Sequence, residues 1–192
     1  MRFYKISEEY IKYLKQFDER VYDNKNETRP YAGVVVLGLG EHDYFIPFSS
    51  PKEKHKKMKN TIDFHKIDNG NFGVLNLNGM IPVYKENLVP FRFEDENRPE
   101  YRRMLNYQFL AVKKEQSIIL NKAEKLYDLY EMDESRLNTY QKKVKDRCLK
   151  FDKLEEAADT LHDIENKPNR QEQEKEKNQY RNDYKNDLNL DR

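Results

Sequence analysis

The chain has 192 residues, 37% of them charged and 36% hydrophobic, which suits one domain with an economical core plus a tail. A formal net charge of +1 excludes overall basicity as a means of holding nucleic acid, so any such grip must come from where the basic residues lie. No apolar run approaches the roughly 20 residues that cross a bilayer, and Met1-Arg2-Phe3-Tyr4 lacks a secretory layout, so no membrane contact and a cytoplasmic location are expected. A single cysteine, Cys148, excludes an internal disulfide and argues against structural zinc. It is expected to fill a helix face.

In chain order, Phe3 to Ile6 predicts a strand. Ser7 then caps a short helix carrying Tyr10, Leu14 and Phe17 at helical spacing. Tyr31 to Leu39 and Tyr44 to Phe48 flank a turn at Glu41-His42-Asp43 and predict a hairpin. Further strands are expected at Thr61 to Lys66, Gly73 to Leu77 and Met80 to Tyr84, the last two joined through Asn78-Gly79. Near Pro99 the period changes from two to about 3.6. Asn97 is the expected cap of a helix with Tyr101, Met104, Leu105, Gln108, Phe109 and Val112 on one face. A second helix holds Leu120, Ala123, Leu126, Tyr127 and Tyr130. A third runs through Leu137, Tyr140, Val144, Cys148, Phe151, Leu154, Ala158 and Leu161. The domain is expected to span residues 1–167. Residues 168–192, almost wholly charged or amide-bearing, are expected to form a charged tail, partly helical or disordered.

Chemistry concentrates in Pro47-Phe48-Ser49-Ser50-Pro51-Lys52-Glu53-Lys54-His55-Lys56-Lys57. Hydroxyls and ammonium groups that follow directly on a strand can bind phosphate oxygens and neutralise a phosphate under attack. The same run also fits a solvated lysine loop. Upstream, Arg29 can hold phosphate bidentately and Tyr31 can stack on an unpaired base; a surface arginine and a core-edge tyrosine are the alternatives. His42, His55, His65 and His162 lack metal-site spacing, and only His55 falls in the basic run. Walker, dinucleotide, zinc and nucleophile-elbow motifs are missing, so no metal or cofactor is expected.

Four blocks in register over roughly residues 1–130 resemble the ToxN/AbiQ family of type III toxin–antitoxin ribonucleases. They are Phe3-Tyr4-Lys5-Ile6-Ser7 with Tyr10, Tyr13-Leu14 and Phe17; Arg29-Pro30-Tyr31-Ala32-Gly33-Val34; Tyr44 to Lys52 with His55; and Phe72 to Leu77 with Met80-Ile81-Pro82-Val83 and Tyr101-Arg102-Arg103-Met104-Leu105. The resemblance implies an α+β fold: a strongly twisted antiparallel sheet, a barrel similar to MazF and CcdB, flanked by helices, with a helical C-terminal extension. It implies metal-independent cleavage of single-stranded cellular and phage RNA, leaving 2′,3′-cyclic phosphate and 5′-hydroxyl ends. It also implies inhibition by a pseudoknot RNA cut from tandem repeats, a cyclic protein–RNA assembly, and abortive defence against phage. By position, the family's hydroxyl pair falls on Ser49 and Ser50, its catalytic lysine on Lys52, and its basic residue before the first hairpin strand on Arg29. Tyr31, Lys54, His55, Lys56, Lys57, Arg102 and Arg103 are the expected RNA contacts. A non-catalytic RNA-binding module, or a toxin neutralised by a protein, are the rival expectations.

Overall fold

The computed structural model describes residues 2–23, 29–35 and 42–166. Among them, seven strands form one sheet: β1 (Phe3–Ile6), β2 (Tyr31–Val35), β3 (Asp43–Ser49), β4 (Phe64–Lys66), β5 (Val74–Asn76), β6 (Ile81–Pro82) and β7 (Leu88–Pro90). The helices are α1 (Glu8–Leu14), α2 (Glu53–Lys57), α3 (Pro99–Lys114), α4 (Gln116–Glu131), α5 (Thr139–Arg147) and α6 (151–166).

The amino-terminal unit forms for local reasons. β1 buries its two end residues, Phe3 and Ile6, on opposite faces of the sheet, and the Ser7 hydroxyl accepts the Tyr10 amide at 3.3 Å to start α1. Phe17 lies beyond the end of α1 and is 39% exposed. β2 and β3 pair antiparallel with Tyr31 opposite Pro47 and Gly33 opposite Phe45. The part of that hairpin expected at 36–41 lies outside the described residues, as does the tail expected at 168–192.

β3 organises the sheet. One edge pairs with β2; the other carries two short strands in succession, β6 at Tyr44–Phe45 and β5 at Phe48–Ser49. The expected Asn78-Gly79 hairpin is therefore corrected, because β5 and β6 each pair with β3 instead of with one another. Leu77–Gly79 is a 3-10 turn that steps between them. It is pulled outward by Asn78, whose carbonyl accepts the Leu149 amide at 2.9 Å and whose Nδ2 donates to the Arg147 carbonyl at 3.1 Å.

The sheet order β4-β5-β3-β2-β1-β7 leaves β4 and β7 as edges, so the sheet is open and the expected barrel closure is not present among the described residues. β7, invisible to the sequence reading, ends in Pro90, which supplies no amide to a further strand. β4 runs into a turn with Asp68 and Asn69 at positive φ. The strand expected from Thr61 shrinks to Phe64–Lys66. Thr61 and Asp63 form a turn instead, in which the Thr61 hydroxyl donates to Asp63 at 2.8 Å and the Lys122 ammonium donates to the Thr61 and Phe64 carbonyls at 2.8 and 3.2 Å.

The helices differ from expectation at their ends. Arg98, not Asn97, is the N-cap of α3; Pro99 occupies the first turn and the Glu96 carboxylate accepts the Arg98 amide at 2.9 Å. The third expected helix is two. Asn138 and Gln141 close a capping box on α5, the chain breaks after Cys148, and α6 begins where the buried Asp18 carboxylate accepts the Lys150 amide at 3.0 Å. Burial alone raises the Asp18 pKa, but the hydrogen bonds from Arg20 and the Lys150 amide outweigh it and hold the carboxyl below its ordinary range. Cys148 is buried, its thiol donates to the Val144 carbonyl at 3.4 Å, and burial pushes it up to about 12.

α4 and α6 lock onto β3 through Tyr44. Its ring meets Tyr127 and Phe151 edge-on at 5.6 and 5.7 Å. Its hydroxyl donates to Glu155 at 2.5 Å, and Tyr127 donates to the same carboxylate oxygen at 2.6 Å. Glu155→Ala strands two phenols in the core, each costing about 1–3 kcal/mol. Urea unfolding should register a loss on the order of 2 kcal/mol or more, and Glu155→Gln, which keeps an acceptor, should lose less.

Candidate active site

β3 ends at Ser49, and the chain turns through Ser50-Pro51 into α2. Ser49 is half-buried, and Asn76 Nδ2 donates to its hydroxyl at 2.9 Å; Ser50 and Lys52 are exposed. Arg29 approaches from the start of β2, held by main-chain acceptors. Its Nε donates to the Asp23 carbonyl at 2.8 Å and an NH1 proton to the Phe48 carbonyl at 2.6 Å, while the guanidinium lies 5.2 Å from the Tyr22 ring centre. Arg29, Ser49, Ser50 and Lys52 thus line one cleft of about 270 Å³. A second cleft, of about 510 Å³, adjoins it, and Ser49 and Lys52 belong to both walls.

The loop rests on a glycine turn. Gly73 has φ +91°, and a Cβ there would stand 2.2 Å from the Ser49 carbonyl oxygen and 3.2 Å from Pro51 N. Gly70, with φ +95°, lies less tightly under His55, where a Cβ would stand 3.1 Å from the carbonyl. Only residues without a side chain let the Ile67–Gly73 turn support this loop so closely. Gly79 does the same for Tyr22, whose ring would come within 2.4 Å of an added Cβ.

Several expected RNA contacts are placed elsewhere. Tyr31 is 1% exposed, and its hydroxyl meets no hydrogen-bond partner among the described residues, so its ring is a core residue and cannot offer a face to a base. Burial raises its phenol pKa further. His55 is also buried, edge-on to Phe64 at 6.0 Å, with Nδ1 unpartnered among the described residues. Burial, then the charges of Lys54 and Lys52, holds its imidazole below the ordinary value of 6.5. Lys54 and His55 line the second cleft. Lys56 pairs with Glu53 at 2.9 Å, and Lys57 is exposed on α2. Arg102 and Arg103 line neither cleft; they flank a separate hollow with Tyr107 and Leu110.

From the same helix, Arg98, Tyr101, Met104 and Gln108 face the first cleft instead. The Arg98 guanidinium covers the Tyr101 ring at 4.5 Å. Gln108 donates to the Phe72 carbonyl at 2.5 Å, and its buried Oε1 finds no donor among the described residues. The available signal was a glutamine on an otherwise apolar helix face. Among the described residues, no three or more His, Cys, Asp or Glu side chains group so as to hold a metal ion, and no helix is long and apolar enough to cross a membrane.

Beyond geometry, residues 2–159 match the family model described as Toxin ToxN, type III toxin-antitoxin system. The chain belongs to this family. Among ToxN-family relatives, Endoribonuclease ToxN of Bacillus thuringiensis subsp. kurstaki is 33% identical over 161 residues, covering 82% of both chains. Endoribonuclease AbiQ of Lactococcus lactis subsp. lactis is 36% identical over 138 residues, 66% of this chain and 74% of its own. A solved structure from work on selective toxin inhibition by a non-coding RNA pseudoknot superposes with a TM-score of 0.71 at 32% identity, covering 83% of this chain and 96% of that one. The structure of AbiQ, a lactococcal anti-phage endoribonuclease, gives 0.67 at 32% identity, covering 85% and 98%.

Two expectations follow from the site's construction. Gly73→Ala forces the Ser49 carbonyl away and should cost at least about 1 kcal/mol, with faster amide exchange at Ser50 and Lys52 than in the unaltered chain. His55 and His65 both have lowered pKa values, His65 through burial and then the Lys122 charge, so the unfolded chain binds more protons below about pH 6.5. Stability should therefore fall as pH drops from about 7 to 5, and His55→Gln or His65→Gln should flatten the melting-temperature slope in that window.

Proposed function

We propose that this chain is a metal-independent endoribonuclease toxin of a type III toxin–antitoxin system, acting in abortive defence against phage. It cuts single-stranded RNA to 2′,3′-cyclic phosphate and 5′-hydroxyl ends. The observation that carries this reading is that Arg29, Ser49, Ser50 and Lys52 line one cleft, a set that brings a guanidinium, two hydroxyls and an ammonium to the same walls. Endoribonuclease activity is also what three relatives are named for.

The ribose 2′-oxygen loses its proton, attacks the adjacent phosphorus and expels the 5′-oxygen. Charge accumulates on the non-bridging oxygens as it does so. Lys52, exposed on the cleft wall, stabilises that charge, and Arg29 fixes the phosphate. Arg29 suits this because two main-chain carbonyls already orient its fork. Ser49 and Ser50 hold the phosphate oxygens or the attacking hydroxyl, Ser49 with its own acceptor site oriented by Asn76. Among candidate proton acceptors, His55 is favoured over Tyr31: its imidazole is kept neutral beside Lys52, whereas the Tyr31 phenol is buried and raised.

Single strands are preferred because in-line attack needs a backbone that an A-form duplex does not supply, and the Tyr101 ring offers a stacking face in the same cleft. The inhibitor is a pseudoknot RNA processed from tandem repeats by the enzyme itself, and protein and RNA close into a cyclic assembly. Solved structures similar to this chain come from work on RNA pseudoknot inhibition and on a processed non-coding RNA regulating an antiviral system.

Lys52→Ala and Ser50→Ala should each lower cleavage by about 10²–10³. Both side chains are exposed, so melting temperatures should stay unchanged. Cleavage of a labelled precursor RNA in excess chelator should yield cyclic-phosphate ends; activity that appears only on adding magnesium or manganese overturns the reading.

A further inference from the structure

Resting on that reading, we propose that the second cleft is a subsite for the nucleotide next to the scissile phosphate, in which Arg147, oriented by Asp63, binds that neighbouring nucleotide's phosphate. Ser49 and Lys52 form the wall common to both clefts, so an RNA strand whose reacting phosphate sits at Lys52 continues into the second cleft on one side. At about 510 Å³ that cleft lies within the range of small-ligand sites.

Arg147 is pinned from two directions. Its Nε donates to Asp63 Oδ2 at 2.9 Å, and the other Asp63 oxygen accepts the Thr61 hydroxyl at 2.8 Å. Its carbonyl accepts from Asn78 Nδ2 at 3.1 Å, which fixes the end of α5 against the turn after β5. Among the described residues only Nε is paired, and the side chain is 47% exposed against 6% for Asp63. The remaining guanidinium edge is therefore held ready and faces solvent in the cleft. The pair keeps the buried Asp63 carboxylate from standing without a cation, and it presents the outer edge of the guanidinium to the cleft. Lys54 and Lys59 add positive charge to the same walls, while the one buried carboxylate has both oxygens committed. Four cations, Lys52, Lys54, Lys59 and Arg147, against one engaged carboxylate suit a phosphodiester and disfavour a cationic ligand. Tyr22 and Met58 supply faces for a base.

The test pairs Arg147→Gln with Asp63→Asn, so that no buried carboxylate is left without its cation, and adds Lys59→Gln as a surface change that leaves the fold intact. Full-length protein is assayed for steady-state cleavage, and for binding of RNA with a 2′-deoxy scissile nucleotide across a salt series. The double variant should raise KM roughly tenfold with kcat within about twofold, and should lower the slope of log K against log salt by about 0.7, the value for one single-strand phosphate contact. Lys59→Gln should move both in the same direction by less. Removing the nucleotides on one side of the scissile bond should erase the difference from the unaltered protein, and removing those on the other side should preserve it. Unchanged KM and salt slope in both variants, or a difference that survives either truncation, overturns the subsite. If the unaltered protein cuts no RNA, the proposed activity fails, while the salt series with uncleavable RNA still decides whether Arg147 holds a phosphate.

Discussion

The geometry of both clefts depends on one close approach: the α-carbon of Gly73 lies against the Ser49 carbonyl with no room for a methyl group. β5 can pair with the last two residues of β3 only because the turn before it passes under that carbonyl. The same contact fixes where Ser49 stops being strand and where the exposed Ser50 and Lys52 begin. Gly70 under His55 and Gly79 against Tyr22 repeat the device at the flanks of the loop. Three residues without side chains thus set the position of side chains that carry charge and hydroxyls, an arrangement in which backbone packing supplies the precision and the polar groups stay free.

Cationic groups reach this region by different routes, and the routes differ in rigidity. Arg29 and Arg147 are oriented by main-chain carbonyls or a buried carboxylate, whereas Lys52 stands exposed at the end of a loop. A guanidinium held in this way presents a fixed, planar set of donors, whereas an ammonium on an exposed stem presents a point charge with three rotatable donors. Lys56 falls outside this scheme, neutralised by Glu53 on its own helix.

Much of the fold was readable because it is local. Ser7 as cap, β1, the β2–β3 pair and Pro99 in the first turn of α3 all follow from residues close in sequence. The loop with Ser49, Ser50 and Lys52 stood out as hydroxyls and lysines after a strand. Long-range terms were not readable. Whether β5 pairs with β6 or β3 is decided by Asn78 reaching Arg147 and Leu149, and the break between α5 and α6 by Asp18 taking the Lys150 amide. Helical spacing identified the face holding Tyr101, Met104 and Gln108 but could not say that its N-terminal half opens onto a cleft while its remainder, through Val112, is core. Tyr31 shows the converse: a tyrosine close to an arginine reads as a base platform, yet β2 is covered on both faces here, and Tyr31 and its neighbour Ala32 are both buried.

The last described helix ties together parts of the chain made long before it. Tyr44 meets Glu155, 111 positions further along the chain, and Tyr13 donates to the Ala157 carbonyl, 144 positions further along. These bonds cannot exist on a ribosome-bound chain until α6 has emerged, so the sheet's central strand acquires this clamp only after all seven described strands have been made. Until then Tyr44 and Tyr127 have no carboxylate to share, and the layer of helices over β3 lacks the member that clamps it.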